Sequence, residues 1–476
     1  MIVNDTAKRL DKVEEVRPFG LKDKVAYLLG NFGNDFSFLF VSSFLLVFCT
    51  KVLGISGAVV GTILMLSKFI DAFTDVGMGR IVDTSKPTKA GRYRPWILRM
   101  SLPIAISNAL MWMYFVKDWP MTAKIIYIGV TYILWGSFCY TGINIPYGSM
   151  ASAISPEAGD RASLSTWRTM GSMFAGLVIN MVAPTLLYTS DASGNQIVLG
   201  ERFTIVGIAF SVLGLICHLL CYKMSVERVT VNPQAKQQGA KKHGFIDLMK
   251  SLVKNKALLS LIFASALMLI ATTINTALRS YLFIDYFRNA KAMMFATLLN
   301  TIAMLSVSGL AAKLAKKYGK KEVGCVGLLL SSVVLIALYF MKVTNITTYY
   351  ALMFVNNIGF GIYSMYSWAY LTDVCDYQEV KTGKRDDGTV YAIFSFFKKV
   401  SQAMATGLGG IILAMIGYQS AATVQTQSVI DGIYSVNLLL PGIIYLLVLA
   451  VLVFTFPLNK KLVDENTRIL KERHSN

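Results

Sequence analysis

Apolar runs long enough to cross a bilayer alternate with short polar stretches along the whole chain. Twelve such runs stand out, at roughly 26–50, 56–80, 95–116, 125–153, 162–189, 203–222, 257–287, 292–312, 323–341, 347–376, 388–416 and 432–457. Runs of about 20 apolar residues predict membrane-spanning helices, because a hydrocarbon layer about 30 Å thick needs that length at ~1.5 Å per residue. The polar stretches between them carry a bias. With the N-terminus set inside, 34 of the 46 Lys and Arg fall in segments 1–25, 80–99, 155–161, 223–256, 313–322, 381–385 and 459–476, and 7 fall on the opposite side. That asymmetry predicts a multi-pass protein of the cell (plasma) membrane with both termini cytoplasmic.

The longest internal polar stretch divides the runs into two sets of six. The expected organisation is a cytoplasmic N-terminal segment (1–25), a six-helix bundle (26–222), a cytoplasmic central loop (223–256), a second bundle (257–457) and a cytoplasmic tail (458–476). The central loop, VNPQAKQQGAKKHGFIDLMKSLVKNK, reads as a linker with a short helix on the inner membrane surface. The halves echo each other. A GDR turn (159–161) leads into TWRTMGSMFAGL, and a GKR turn (383–385) leads into FKKVSQAMATGL, so that Arg168 and Lys399 occupy matching places. The fold class predicted is all-α: two pseudo-symmetric six-helix bundles, with substrate bound between the repeats near the bilayer midplane.

Composition narrows the class. The chain has 476 residues, 54% hydrophobic and only 15% charged, where a soluble domain carries about 25% charged residues. Its net charge of +19 would suit nucleic acid on a soluble domain, but here the basic residues lie between apolar spans, so nucleic acid is not an expected partner. The six cysteines sit in apolar stretches without metal spacing and read as packed thiols. His218, His243 and His474 are scattered, and no metal-ligand cluster, nucleophile elbow or phosphate loop appears. An enzyme is not expected.

The charges that do lie within spans therefore stand out, since each costs roughly 2.5–3.5 kcal/mol at mid-bilayer. Asp71 and Asp75, in KFIDAFTDVGMGR, sit at i and i+4 on one helix face. Two carboxylates that close share a cation or take up a proton; alternatively each pairs with a buried base such as Lys68 or Arg168. Asp35 lies in span one and Arg168 in span five. Of Lys398 and Lys399 in span eleven, adjacency lets one face the interior, and the repeat favours Lys399. Carboxylates with multi-donor cations suit sugar hydroxyls; the bland alternative is a salt-bridge network that locks the halves together. Arg279 either pairs with Asp285 or meets a substrate carboxylate. Asp373 and Asp376, in YLTDVCDYQEV, with Arg385, read as gating ion pairs at the inner end of span ten. The basic loop GRIVDTSKPTKAGRYR is expected to hold its helix end in the cytoplasm and to ion-pair with a gate.

KFIDAFTDVGMGRIVDTSKPTKAGRYRPWIL resembles the span-two and following-loop signature of the glycoside–pentoside–hexuronide:cation symporters, the melibiose permease-like branch of the major facilitator superfamily. The likeness extends to RPFGLKDKVAYLLGNFGNDF, VTYILWGSFCYTGINIPYGSM and YLTDVCDYQEVKTGKR. It implies the major facilitator fold and alternating-access symport of a sugar, glycoside or hexuronide with Na⁺, Li⁺ or H⁺, by a carrier that works as a monomer without a cofactor. By position, Asp71 and Asp75 resemble the paired cation-site aspartates (a Na⁺ site if sodium couples), with Thr74 and Thr141 as further cation-site polar residues. Asp35 resembles the acid that holds sugar hydroxyls, Arg168 the sugar-binding arginine, and Lys399 the lysine near both sites. Two departures matter. Asn144 stands where the melibiose permease has a helix-four aspartate, which shifts expectation toward H⁺ or an anionic substrate. Gly148 replaces a following aromatic, leaving Tyr140 and Tyr147 as the candidate stacking rings. The rival readings are an uncoupled sugar facilitator and a drug or lipid exporter on the same fold.

Overall fold

The computed structural model describes residues 17–475 except 89, 193–194, 230–254, 383–386, 421 and 423. The chain runs as helical rods: α1 Leu21–Val52, α2 Gly57–Thr84, α3 Arg94–Met111, α4 Met121–Ile154, α5 Ala158–Leu187 and α6 Gly200–Met224, then α7 Lys256–Tyr286, α8 Ala292–Tyr318, α9 Lys320–Met341, α10 Ile346–Thr382, α11 Asp387–Met415 and α12 Gln427–Thr455. A final helix, α13 Lys460–Ser475, follows. A small antiparallel hairpin, β1 Tyr188–Ser190 with β2 Gln196–Val198, links α5 to α6. Among the described residues, 8 helices are long and apolar enough to cross a membrane by length and composition. The remaining rods complete the same bundles and carry inward polar positions, such as Asn300 of α8, Asn356 of α10 and Lys399 of α11. Phe73, Phe340 and Phe454 are 80%, 74% and 84% exposed, an apolar outer surface suited to lipid.

Several rods outrun the apolar stretches that predict them. α1 starts at Leu21 and α10 continues to Thr382, because helical hydrogen bonding continues into polar sequence. The expected GDR turn lies inside the first turn of α5, where Asp160 accepts from the Ser155 hydroxyl at 2.6 Å. An acid there suits the positive helix end. The GKR turn and most of the central loop, with His243, fall outside the described residues.

Two groups of six rods emerge from the packing. In the first, α1 lies against α5 and α6, and α3 against α4 and α6; in the second, α9 packs on α10 and α12, and α7 on α11 and α12. The groups meet chiefly through α2 against α11. That seam runs glycine to glycine. A Cβ on Gly61 would lie 2.4 Å from the Gly407 carbonyl, and one on Gly410 would lie 2.2 Å from the Gly57 carbonyl, so only bare backbone allows this approach. Near the end of the bundle away from the chain termini, the groups are also tied by polar contacts. Lys51 pairs with Asp285 at 2.6 Å, the Thr50 and Tyr281 hydroxyls meet at 2.6 Å, and Ser280 donates to the Ser43 carbonyl at 3.2 Å. Asp285 thus takes Lys51 rather than Arg279, because the α1–α7 packing brings Lys51 to it. This end is closed.

At the terminus-bearing end each group is tied to itself. Asp23 binds Arg17 at 2.7 Å and Arg228 at 2.9 Å. Among the described residues, the basic loop after α2 makes no ion pair with a gate acid. Instead the Glu227 carboxylate accepts the backbone N–H groups of Arg92, Tyr93 and Arg94 at 2.8, 2.8 and 2.7 Å, capping α3 with a charge that its dipole favours. Arg94 donates back to the Tyr222 carbonyl at 2.8 Å. Gly91 makes room: its φ is +103°, and a Cβ there would lie 2.4 Å from the Glu227 carboxyl carbon. Among the described residues, none of the six cysteines forms a disulfide.

Candidate functional site

The α2 acids face α4 and α11 inside the bundle. Helical spacing puts Asp71 and Asp75 on one face, and each finds a base. Lys68, one turn earlier, pairs with Asp71 at 2.6 Å. Lys399, from the other group of six, pairs with Asp75 at 2.9 Å. The four charges sum to zero. Lys68 also stands 5.7–5.9 Å from the ring centres of Phe38, Tyr132 and Trp135, an aromatic surround that favours a cation. Lys399 is more loosely held, its side chain 47% exposed.

α4 supplies hydroxyls. It carries a π-helical segment, Leu134–Tyr140, of the kind that re-aims side chains at functional sites. Ser137 donates to Asp71. Thr141 donates to Asp75 at 2.8 Å and also lies 3.2 Å from the Gly136 carbonyl; its single proton serves one acceptor at a time. A cavity of about 220 Å³ runs along this cluster, lined by Asp71, Asp75, Tyr140, Thr141, Asn144 and Lys399. The hydroxyl of Thr74 is turned back on its own helix, 3.1 Å from the Asp71 carbonyl.

Asp35 and Arg168 form a second node between α1 and α5. The Asn31 amide donates to Asp35 Oδ2 at 2.7 Å, and Ser172 donates to the same oxygen. Arg168 donates to the Asn31 side-chain Oδ1 at 3.1 Å and sits over the Tyr147 ring at 5.4 Å. Arg168 therefore serves Asp35 through Asn31 and is no partner of Asp71 or Asp75. Tyr147 belongs to the packed core rather than a cavity wall. It is 1% exposed, stacks on Tyr27 at 4.5 Å and donates its hydroxyl to the Tyr27 carbonyl. Tyr140 remains on the cavity, stacked at 5.6 Å on Phe38. His218 is buried beside Asn34 at 3.0 Å, a core polar pair. Asp373 pairs with Lys320 at the start of α9, a tie within one group; Asp376 lies one turn further along α10, and Arg385 is outside the described residues.

Sequence reasoning missed Ser137, Asn31 and Ser172 as parts of the site. Asn31 stands four residues before Asp35 and Ser137 four before Thr141, so helical spacing was an available signal for both. Ser172 had none beyond its place one turn after Arg168.

Residues 26–460 match the family described as MFS/sugar transport protein. The chain belongs to this family. It is 30% identical over 474 residues, 99% of both chains, to a Bacillus subtilis protein named as an uncharacterized symporter, YjmB. It is 29% identical to an Escherichia coli glucuronide carrier protein homolog, over 93% of each chain. A D-xylose–proton symporter of known structure superposes with a TM-score of 0.65 at 12% identity, covering 92% of this chain and 98% of that one. An inward-facing bacterial homolog of the lysosomal transporter Spinster gives 0.63 at 13%, covering 94% and 98%. The fold is that of the major facilitators. The chain is a glycoside–pentoside–hexuronide:cation symporter family member and a secondary active sugar transporter.

Proposed function

We propose that the chain imports a sugar-type solute into the cell, driven by one monovalent cation held at Asp71 and Asp75, with its termini in the cytoplasm. The observation that carries this reading is the pairing of each acid with a lysine, one of them reaching across from the opposite bundle. In the resting carrier the lysines hold the place of the transported cation. An entering Na⁺, Li⁺ or H⁺ competes with Lys399 for Asp75, the more exposed pair. Thr141 then turns its proton to the Gly136 carbonyl and offers a lone pair to the cation, with the Asn144 carbonyl close by on the same wall. Released Lys399, with Asp35, Arg168 and Tyr140, orders the sugar hydroxyls; Thr74 supports the cation site, and Asp373, Asp376 and Arg385 act at the inner gate. Opening then passes from one end to the other as the bundles rock about the α2–α11 seam. The polar ties that join the bundles at the end away from the termini support an inward-open state.

With a neutral solute, one positive charge moved inward through about 100 mV supplies ~2.3 kcal/mol, roughly a 40-fold gradient; an anionic solute cancels that charge, and the concentration gradient of the cation then drives uptake. The named relatives include a glucuronide carrier homolog and a putative sulfoquinovose importer, which supports a polyhydroxylated cargo. The carrier works as a monomer, since both sites lie within one chain. The test is uptake of labelled glycosides and hexuronides into proteoliposomes under imposed Na⁺, Li⁺ or H⁺ gradients. Uphill accumulation with one ion is expected. Entry only down the solute's own gradient, whatever the ion, would replace this reading with a facilitator.

A further inference from the structure

Arg279, near the closed end of α7, makes no ion pair and no hydrogen bond among the described residues; it stands 6.0 Å from the Phe283 ring centre, with Tyr349 and Tyr350 near enough to interact electrostatically. A charge inside a bilayer protein without an acid, carbonyl or water route is expensive, so its surroundings matter. It lies on the wall of two adjoining cavities. One, about 270 Å³, is set within the second bundle; the other, about 500 Å³, lies between the bundles. Both are lined in common by Arg279, Asn275, Thr276 and Asn300, and among the described residues no acidic side chain lines either. The smaller cavity also meets Asn356 and Asn437, which are 5% and 1% exposed. Their side-chain oxygens are buried without a protein donor.

That set of groups is complementary to one chemistry. The guanidinium is a two-pronged donor shaped for a planar oxyanion. The orphan amide oxygens need hydroxyl donors. Across the larger cavity, Leu39 and Gly176 line the wall one helical turn beyond Asp35 and Ser172, so a solute held at Asp35 extends toward Arg279.

We propose that Arg279 is the oxyanion subsite of the carrier: it binds the carboxylate or sulfonate of a polyhydroxylated acid, while Asn356 and Asn437 accept hydroxyls. This deepens the transport reading and rests on it. Counterflow exchange in proteoliposomes without any ion gradient tests it independently of coupling. The probes are labelled glucuronide, a sugar sulfonate, and the uncharged methyl ester of the glucuronide. Wild type is expected to prefer an acid over the ester. Arg279→Gln should lower the acid-to-ester affinity ratio at least tenfold, and Arg279→Lys should keep most of it. Which acid responds more distinguishes carboxylate from sulfonate. A ratio unmoved by Arg279→Gln, or exchange of neutral glycosides with no preference for acids, overturns the subsite and leaves sugar transport standing. If no sugar compound exchanges at all, the transport reading falls and the subsite with it.

Discussion

Replacing Asp75 by Asn separates coupling from folding. The substitution keeps shape and removes one charge. Asp75 and Lys399 are 2.9 Å apart, with side chains 22% and 47% exposed. At that distance the gross attraction is about 6 kcal/mol at an effective dielectric of ~20 and about 1.4 kcal/mol in bulk water. Solvent on this half-exposed pair screens most of the larger figure, and such pairs are worth about 1 kcal/mol or less net. The Thr141 hydroxyl keeps an acceptor in the Asn carbonyl. Asp75→Asn should therefore lower melting by no more than a few degrees. Its effect on accumulation is of another order. With the competing cation site gone, ion flow no longer does work on the solute, and for a neutral glycoside a concentration ratio of roughly 40-fold at about 100 mV falls to one. Concentrative uptake and counterflow exchange measured on the same proteoliposomes give the answer. Exchange should persist within a few-fold of wild type while uphill uptake disappears. Uphill uptake retained in Asp75→Asn, with its ion dependence unchanged, would refute the assignment of the driving site.

Three further outcomes follow from packing. Gly91→Ala strains a φ of +103° and drives a methyl into Glu227; with three backbone hydrogen bonds at stake it should cost about 2–4 kcal/mol, read as a lower melting temperature in detergent, whereas Glu227→Gln, which keeps an acceptor, should lose less. Gly61→Val places its Cβ 2.4 Å from the Gly407 carbonyl and should prop the closed end open, abolishing exchange in a folded protein; thiol labelling of a cysteine placed at Ser420, whose hydroxyl donates to the Ile55 carbonyl across the seam, should speed up. Lys51→Ala leaves Asp285 buried without its base, the two side chains being 7% and 6% exposed; about 3–5 kcal/mol against the closed end is expected, seen by the same labelling, and Asp285→Asn in the same background should restore much of the closure.

The hydrophobic pattern by itself determined the helices, their number and the division into sixes, because a bilayer imposes a length and a period that each segment must meet alone. It also determined that Asp71 and Asp75 share a face, since helical spacing is local, and that Lys68 was within reach of Asp71. Partner choice between distant segments was not legible. Lys399 is 324 residues from Asp75, and only the glycine-lined approach of α2 to α11 brings them together. Arg168, equally eligible by charge, is committed to Asn31. Asp285 took Lys51 and left Arg279 facing a cavity, and Glu227 took backbone amides that carry no sequence signature. The physical reason is common to all of them. Which face of a helix meets which neighbour depends on rotation about its axis and on how closely backbones approach, and those are settled by the whole bundle at once.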